Sequence, residues 1–291
     1  MPPASLASLC YARVPVEDAP AAARFGEEVL GLRRTAAADD EVRLRGGALA
    51  WCLALTAGGR QSLGLELPDA AALTEAAAAL PRAGFTCSWA EPEFCEQRGV
   101  ARALLAHDAS GHSLELVTRP RLCAGRFFPP HDSGITGLHT IGLRSTDIGR
   151  DTALWTGILG ARVADRVGDI TYLAFDDAHH RIALYPSARA GLLYIGFGVA
   201  DFDYLMQHAH RLAAMQIRIL HGPGREPASG SAFLRFAGPG GLAWSFVHPT
   251  APAARRAPRQ FALAADSLCA WGSHCAELPE LNPRHAKGPM P

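Results

Sequence analysis

The chain carries the same segment order twice, and this repeat limits what it can fold into more than any other feature. Val29-Leu-Gly-Leu-Arg33 is answered by Ile158-Leu-Gly-Ala-Arg162, and Gly64-Leu-Glu-Leu-Pro-Asp69 by Gly196-Phe-Gly-Val-Ala-Asp201. His107-Asp-Ala-Ser-Gly-His-Ser-Leu-Glu-Leu-Val117 is answered by Ala237-Gly-Pro-Gly-Gly-Leu-Ala-Trp-Ser-Phe-Val247. A repeat of about 130 residues is a duplicated domain, well beyond the roughly 20–50 residues of a solenoid unit. Each half reads as strand, helix and three strands, twice over. In the first half, strands are expected at residues 6–14, 41–45, 48–56, 63–67, 85–90, 101–106 and 113–117, with helices from Glu17 to about residue 30 and over 69–83. The second half predicts strands at 137–143, 162–167, 170–175, 181–185, 192–199, 218–220, 232–237 and 242–247, with helices over 148–159 and 202–214. Glycines 31, 84 and 160 end helices, and Asp147 is placed to cap one.

The expected organisation is therefore a first domain over 1–118, a Pro- and Arg-rich linker over 119–133, a second domain over 134–248, and a polar, Pro-interrupted tail over 249–291. The tail is read as wrapping the surface. Of the 291 residues 48% are apolar, enough for a sizeable core, and the formal net charge is zero, which leaves no basic footprint for nucleic acid. No run reaches the ~18 apolar residues of a membrane span, and the N-terminus shows no secretory signal. Seven cysteines without a Cys-x-x-Cys pair fit reduced thiols in a cytoplasmic protein.

The stretch Gly137-Leu-His-Thr-Ile-Gly-Leu-Arg-Ser-Thr-Asp147 reads as a strand presenting His139 to a cavity. With the doublet in Ala178-His179-His180-Arg181, the Gly222-Pro-Gly-Arg225 turn and the Phe233–Phe236 strand followed by Gly-Pro-Gly-Gly241, it resembles the vicinal oxygen chelate superfamily. Within it the likeness is to the two-domain extradiol ring-cleaving dioxygenases that open catechols, over about residues 6–248. The resemblance implies an α+β fold of two tandem domains, each of two βαβββ units forming an open mixed-sheet cup. It also implies, in the second cup, Fe(II) or sometimes Mn(II) on two histidines and a glutamate, with open positions for catecholate and dioxygen.

His139 matches the first ligand. The second falls on Tyr194 and the third on Ser245, two poor ligands for Fe(II) at neutral pH. His180 matches the family's acid–base histidine, a role suited to imidazole. Glu226 and Arg235 stand where the family has a further histidine and a tyrosine. Arg235 reads either as a solvated strand charge or as a fork for a carboxylate. His179, Arg235, Glu226 and Ser245 are thus candidate substrate contacts, and His180, His139 and Tyr194 candidate catalytic groups. The first-half equivalents of the triad, Cys10, Ser62 and Glu115, read as a relic of duplication, and His208 and His210 as surface residues.

The expected function is that of an extradiol-dioxygenase-like protein acting on a catechol-like or aromatic-acid compound by acid–base chemistry, without a cofactor. Two alternatives stand beside it: a metal-dependent dioxygenase with an atypical site holding Fe(II) or Mn(II) on His139, and a non-catalytic binder of an aromatic ligand. The expected partner is a small aromatic molecule, with no nucleic acid or membrane, and a homo-oligomer is possible.

Overall fold

In the computed structural model, residues 5–35, 40–250 and 257–283 are described. The first half runs β1 (Ser8–Val16), α1 (Ala19–Glu28), β2 (Arg33–Arg34), β3 (Glu41–Arg45), β4 (Leu53–Ala57), then β5 (Ser62–Glu66), α2 (Ala70–Arg82), β6 (Cys87–Trp89), α3 (Pro92–Arg98), β7 (Arg102–His107) and β8 (Ser113–Thr118). The second half opens with β9 (Ile135–Ser145), α4 (Ile148–Ala153) prolonged by a π-turn over Leu154–Ile158, β10 (Arg162–Val167), β11 (Ile170–Ala174) and β12 (Ile182–Pro186). Its second unit is β13 (Gly191–Val199), α5 (Phe202–Ala214), β14 (Ile219–Arg225), β15 (Ala232–Ala237) and β16 (Ala243–His248), and β17 (Arg259–Phe261) follows.

One sheet has the order β2-β3-β4-β1-β5-β8-β7-β6 and the other β14-β15-β16-β13-β9-β12-β11-β10-β17. In each, the first strands of the two units lie antiparallel at the centre, β1 against β5 and β9 against β13. Each central strand also has a parallel neighbour from its own unit: β4, β8, β12 and β16. The fold is thus mixed α+β with two curled mixed sheets, as the resemblance implied.

The helices start where local chemistry lets them. Asp18, Asp69, Asp147 and Asp201 sit at the same place in the four units, and each side chain accepts a first-turn backbone N–H, from Ala21, Ala72, Arg150 and Tyr204 respectively. In α2 the buried Ala72, Leu73, Ala76 and Leu80 form the stripe that packs on the sheet. The helix-side residues of both halves join in one core holding Leu30, Leu65, Leu80, Trp155, Phe197, Trp244 and Phe246. Phe25 of α1 packs on Phe236 and Trp244 of the second half, so the repeats share an apolar layer. The opposite sheet faces form two smaller clusters inside the cups, one with Tyr11, Trp51 and Cys95, the other with Tyr172, Tyr185 and Tyr194.

Three expectations are corrected and one element is added. Residues 92–98, for which no element is expected, form α3, and Pro92 in its first turn is tolerated, since its missing N–H would be unpaired there. Gly222-Pro-Gly-Arg225 is not a free turn but the end of β14, paired irregularly with β15, and irregular pairing is where a strand tolerates Gly and Pro. His208 is not a surface residue: its ring stacks on Phe246 at 3.8 Å and its Nε2 lies 2.8 Å from the Ser133 carbonyl. Nor does the tail simply wrap the surface. β17 extends the second sheet alongside β10, and Leu268, Cys275 and Leu281 join the apolar cluster of the second cup. Among the described residues no helix is long and apolar enough to cross a membrane.

A candidate ligand cup in the second half

Strands β9, β13 and β16 lie side by side with Thr140, Gly196 and Ser245 in register, and Gly142, Tyr194 and Ala243 in the next same-face row. Glycine at 142 is required by close approach, because a Cβ there would stand 2.3 Å from the Tyr194 ring. The β9–β13 register shifts between Gly196 and Phe197, opposite residues 138–140, and both His139 and Thr140 line the cavity. This cavity has a volume of about 30 Å³ and is further lined by His179, His180, Tyr194, Glu226, Phe233 and Arg235, with Ala178, Pro249 and Thr250 at its rim. By this measure it has room for about two water molecules.

Arg235 of β15 is the cup's fixed charge. It is only 4% exposed, and its guanidinium carbon lies 4.6 Å from the centre of the Tyr194 ring and 4.1 Å from that of Phe233. Its Nη1 donates to His221 Nδ1 at 3.3 Å, and its Nη2 is 3.9 Å from Glu226 Oε1. Its Nε and Thr140 Oγ1 are buried without a hydrogen-bond partner, and the Tyr194 hydroxyl makes no well-aligned bond, although Tyr185 and Arg235 lie close enough to interact with it. Glu226 accepts from the Tyr172 hydroxyl at 3.2 Å and the Ser229 hydroxyl at 2.6 Å.

His139 is held by Arg181, whose Nη1 donates to its Nδ1 at 3.0 Å and to its carbonyl at 2.9 Å. Arginine cannot accept, so Nδ1 must, and the one proton of the neutral ring sits on Nε2. Burial, with the charge of Arg181 and the nearby His180, pushes the His139 pKa down to about 3. His180 is likewise driven well below the ordinary imidazole range by burial, with His179, Arg235 and Arg181 adding to it. Burial raises the phenols of Tyr172, Tyr185 and Tyr194. At neutral pH His139 and His180 are therefore neutral imidazoles and the three tyrosines un-ionised phenols, with the Arg235 cation beside them.

Behind the doublet, His179 Nδ1 lies 3.0 Å from His180 Nδ1, and His179 Nε2 lies 2.8 Å from Asp165 Oδ2. Asp165 is fully buried and also takes Arg259 of β17, through its backbone N at 2.8 Å and its Nη2 at 2.7 Å. Burial alone would raise the Asp165 pKa; the bonds from Arg259 and His179 prevail and bring it to about 2. A carboxyl held below its unfolded value stabilises the fold above that value, and the contribution disappears as pH falls through the folded one. Stability is accordingly expected to decline from about pH 4 towards pH 2 through this group, and Asp165→Asn to flatten that part of the curve, as denaturant midpoints against pH would show.

The sequence-derived residues thus separate. His139, His179, His180, Tyr194, Glu226 and Arg235 are brought to one cavity, whereas Ser245, fully buried, donates to the Phe246 carbonyl at 3.2 Å and does not line it. Arg235 is no solvated strand charge. Thr140, Asp165 and Arg181 carry no signal in the sequence that marks them as site residues; Asp165 sits in the charged strand Arg162-Val-Ala-Asp-Arg-Val167. In the first cup, Ser62, Tyr11 and Arg98 Nε all bond to Glu115, at 2.6, 2.8 and 3.0 Å. Burial pushes the Cys10 thiol up to about 12, so it stays protonated. Between the halves, Asp108, His112 and Asp151 have ligand-type atoms within 4.8 Å of one another. They are already bonded: His112 to Asp108 and to the Gly191 N–H, Asp151 to the hydroxyls of Ser110 and Ser145.

The profile of the Glyoxalase/Bleomycin resistance protein/Dioxygenase superfamily matches residues 137–246. Biphenyl-2,3-diol 1,2-dioxygenase of Pseudomonas sp. (strain KKS102) is 31% identical over 198 residues, covering 62% of this chain and 68% of that protein. The chain belongs to this superfamily. Solved structures agree on the fold: BphC, a halotolerant catechol dioxygenase, superposes with a TM-score of 0.86 at 19% identity, over 96% of this chain and 97% of that one. The Mn(II)-bound glyoxalase from Novosphingobium aromaticivorans gives 0.84 at 20% identity, over 99% and 95%. Homoprotocatechuate 2,3-dioxygenase from Arthrobacter globiformis gives 0.85 at 18%, over 97% and 92%.

As a member of the glyoxalase/dioxygenase superfamily, the chain would place a metal at His139, Tyr194 and Ser245, and these residues do not fit one. A histidine ligand offers a lone pair and normally donates its other N–H to an acceptor; His139 instead faces the Arg181 donor and carries its proton on Nε2. The Tyr194 phenol stays protonated, Ser245 is turned to a backbone carbonyl, and Glu226 is engaged by two hydroxyls. Arg235, stacked on Tyr194, would repel a dication.

Proposed function

We propose that this is an extradiol-dioxygenase-like superfamily member whose second cup binds a small anionic aromatic compound, a catecholate or an aromatic acid, through Arg235 instead of iron, and acts on it by acid–base chemistry. The observation that carries this reading is the gathering of Arg235, Tyr194, Thr140 and His139 around one cavity, with Arg235 Nε and Thr140 Oγ1 buried and unpartnered. Unpaired burial of each such group costs about 1–3 kcal/mol, which an incoming oxyanion with several lone pairs would recover. The cavity would take the anionic head of a ligand, with the ring towards its more exposed edge at Ala178 and Thr250. His180, neutral and beside Arg235, would be the base.

Isothermal titration with aromatic carboxylates, catechols and their uncharged amide or ether counterparts tests this. The anionic members are expected to bind, the uncharged ones about tenfold or more weaker, and a chelator to change nothing. Tyr194→Phe should weaken the anions only. Binding that appears only on adding Fe(II) or Mn(II), or no preference for the charged forms, overturns the reading.

A further inference from the structure

We infer that Asp165, His179 and His180 form a proton relay that carries a proton out of the second cup and parks it beside Asp165, clear of Arg235. The inference rests on the cup being a ligand site, as proposed above, and adds the route by which its base works.

The proton positions follow from the contacts. Asp165 is a carboxylate and can only accept, so His179 directs its Nε2–H to it. The neutral His179 ring then has its lone pair on Nδ1, and the facing His180 Nδ1 must carry a hydrogen. This leaves the His180 lone pair on Nε2, which has no partner among the described residues, on a ring that lines the cavity. Two adjacent histidines are therefore fixed in opposite tautomers by one buried carboxylate.

A proton leaving a ligand O–H or C–H bonds to His180 Nε2, and the electron pair of the broken bond stays on the ligand, facing Arg235. The hydrogen on His180 Nδ1 passes to His179 Nδ1. The outcome is a neutral His180 protonated on Nε2 and an imidazolium at His179, bonded on one side to Asp165 and on the other to His180. One proton has moved and no electron has left the ligand. Returned to a different ligand atom, the same proton completes an isomerisation, so the class of reaction is a proton shift within an enolisable or phenolic anion.

The surroundings explain why the charge should reside on His179. Around His180 stand Arg235 on β15, Arg181 before β12, His139 on β9, the un-ionised Tyr172 on β11, and Glu226 with its nearer oxygen 4.0 Å from Nδ1. Around His179 stand Asp165 on β10 and, across it, Arg259 of the tail strand. Cations therefore crowd the inner histidine, while a carboxylate meets the outer one. Arg259 also tunes the relay, because it shares the carboxylate with His179.

Two-bond ¹H–¹⁵N correlation spectra of full-length protein labelled in histidine, assigned with His179→Gln and His180→Gln, report each tautomer directly. In the free protein His180 is expected to stay neutral with its hydrogen on Nδ1 between about pH 5 and 8, and the neutral His179 ring to carry its hydrogen on Nε2. Asp165→Asn removes the obligatory acceptor and should shift part of the His179 population to the Nδ1–H tautomer. Binding a catechol should move the His180 hydrogen to Nε2. A His180 ring found with its hydrogen on Nε2 in the free protein, or His179 tautomers left unaltered by Asp165→Asn, overturns the relay. Free-protein tautomers as stated, with no ligand bound by any member of the titration panel, would uphold the relay geometry and reject the binding proposal alone.

Discussion

Arg235→Met is expected to weaken binding of aromatic carboxylates and catecholates by about ten- to a hundredfold while leaving the melting temperature unchanged or slightly higher. A charged hydrogen bond to a buried anion is worth roughly 1.5–3 kcal/mol, which sets the size of the loss. Stability should respond differently, since the guanidinium is 4% exposed, its Nε has no partner and its nearest carboxylate oxygen is 3.9 Å away, longer than a hydrogen bond. Methionine keeps most of the apolar stem that packs on Tyr194 and Phe233 and removes a desolvated charge. Glu226 keeps the Tyr172 and Ser229 hydroxyls and, at 3.9 Å from Arg235, has no hydrogen bond from the arginine to lose, unlike Glu115 with Arg98 at 3.0 Å. Titration calorimetry and a melting curve on the same preparation separate the two effects. A large drop in melting temperature with unaltered ligand affinity would make Arg235 a structural residue.

The first cup should behave in the opposite way. Arg98→Met is expected to cost about 3–5 kcal/mol, because it leaves the buried Glu115 carboxylate without its cation. Arg98 Nε bonds Glu115 at 3.0 Å, the two side chains are 8% and 6% exposed, and the guanidinium stacks on Phe94 at 4.4 Å. The Ser62 and Tyr11 hydroxyls remain but supply no formal charge. Adding Glu115→Gln to Arg98→Met removes the stranded anion and should recover most of the loss. Denaturant midpoints at neutral pH measure both steps. A cost under about 1 kcal/mol for Arg98→Met would mean that water enters the network and screens it.

The contrast between these variants expresses a difference between the cups. Both carry an arginine near the place where the resemblance puts a metal. In the first, Glu115 meets the arginine and three donors converge on one acceptor, which is a satisfied structural network. In the second, Ser245 occupies the position equivalent to Glu115, no carboxylate is within hydrogen-bond reach of the arginine, and its Nε lacks an acceptor. A fold selected for stability alone would have filled that space with apolar side chains, which need no partners and contribute about 25 cal/mol per Å² buried. Unpartnered donors on an otherwise well-packed sheet are the mark of a site that trades stability for binding.

Much of this architecture is legible in the sequence because it depends on contacts close along the chain. Four aspartates cap four helices three residues on, strand periods repeat in both halves, and the paired motifs reveal the duplication without any structure. The replacement of two metal-ligand positions by Tyr194 and Ser245 was legible for the same reason, since motif positions are local. The chemistry of the second cup was decided by contacts between residues far apart. His139 is a potential ligand until Arg181, 42 residues away, sets its tautomer, and His179 is a generic histidine until Asp165 and the tail's Arg259 meet across the sheet edge. The burial of Arg235 and of His208 and the seating of residues 259–281 on the second cup also depend on which strands become neighbours. Local pattern determines which elements form, but protonation states and buried charges are set by desolvation and distant partners, and these exist only once the sheets have closed.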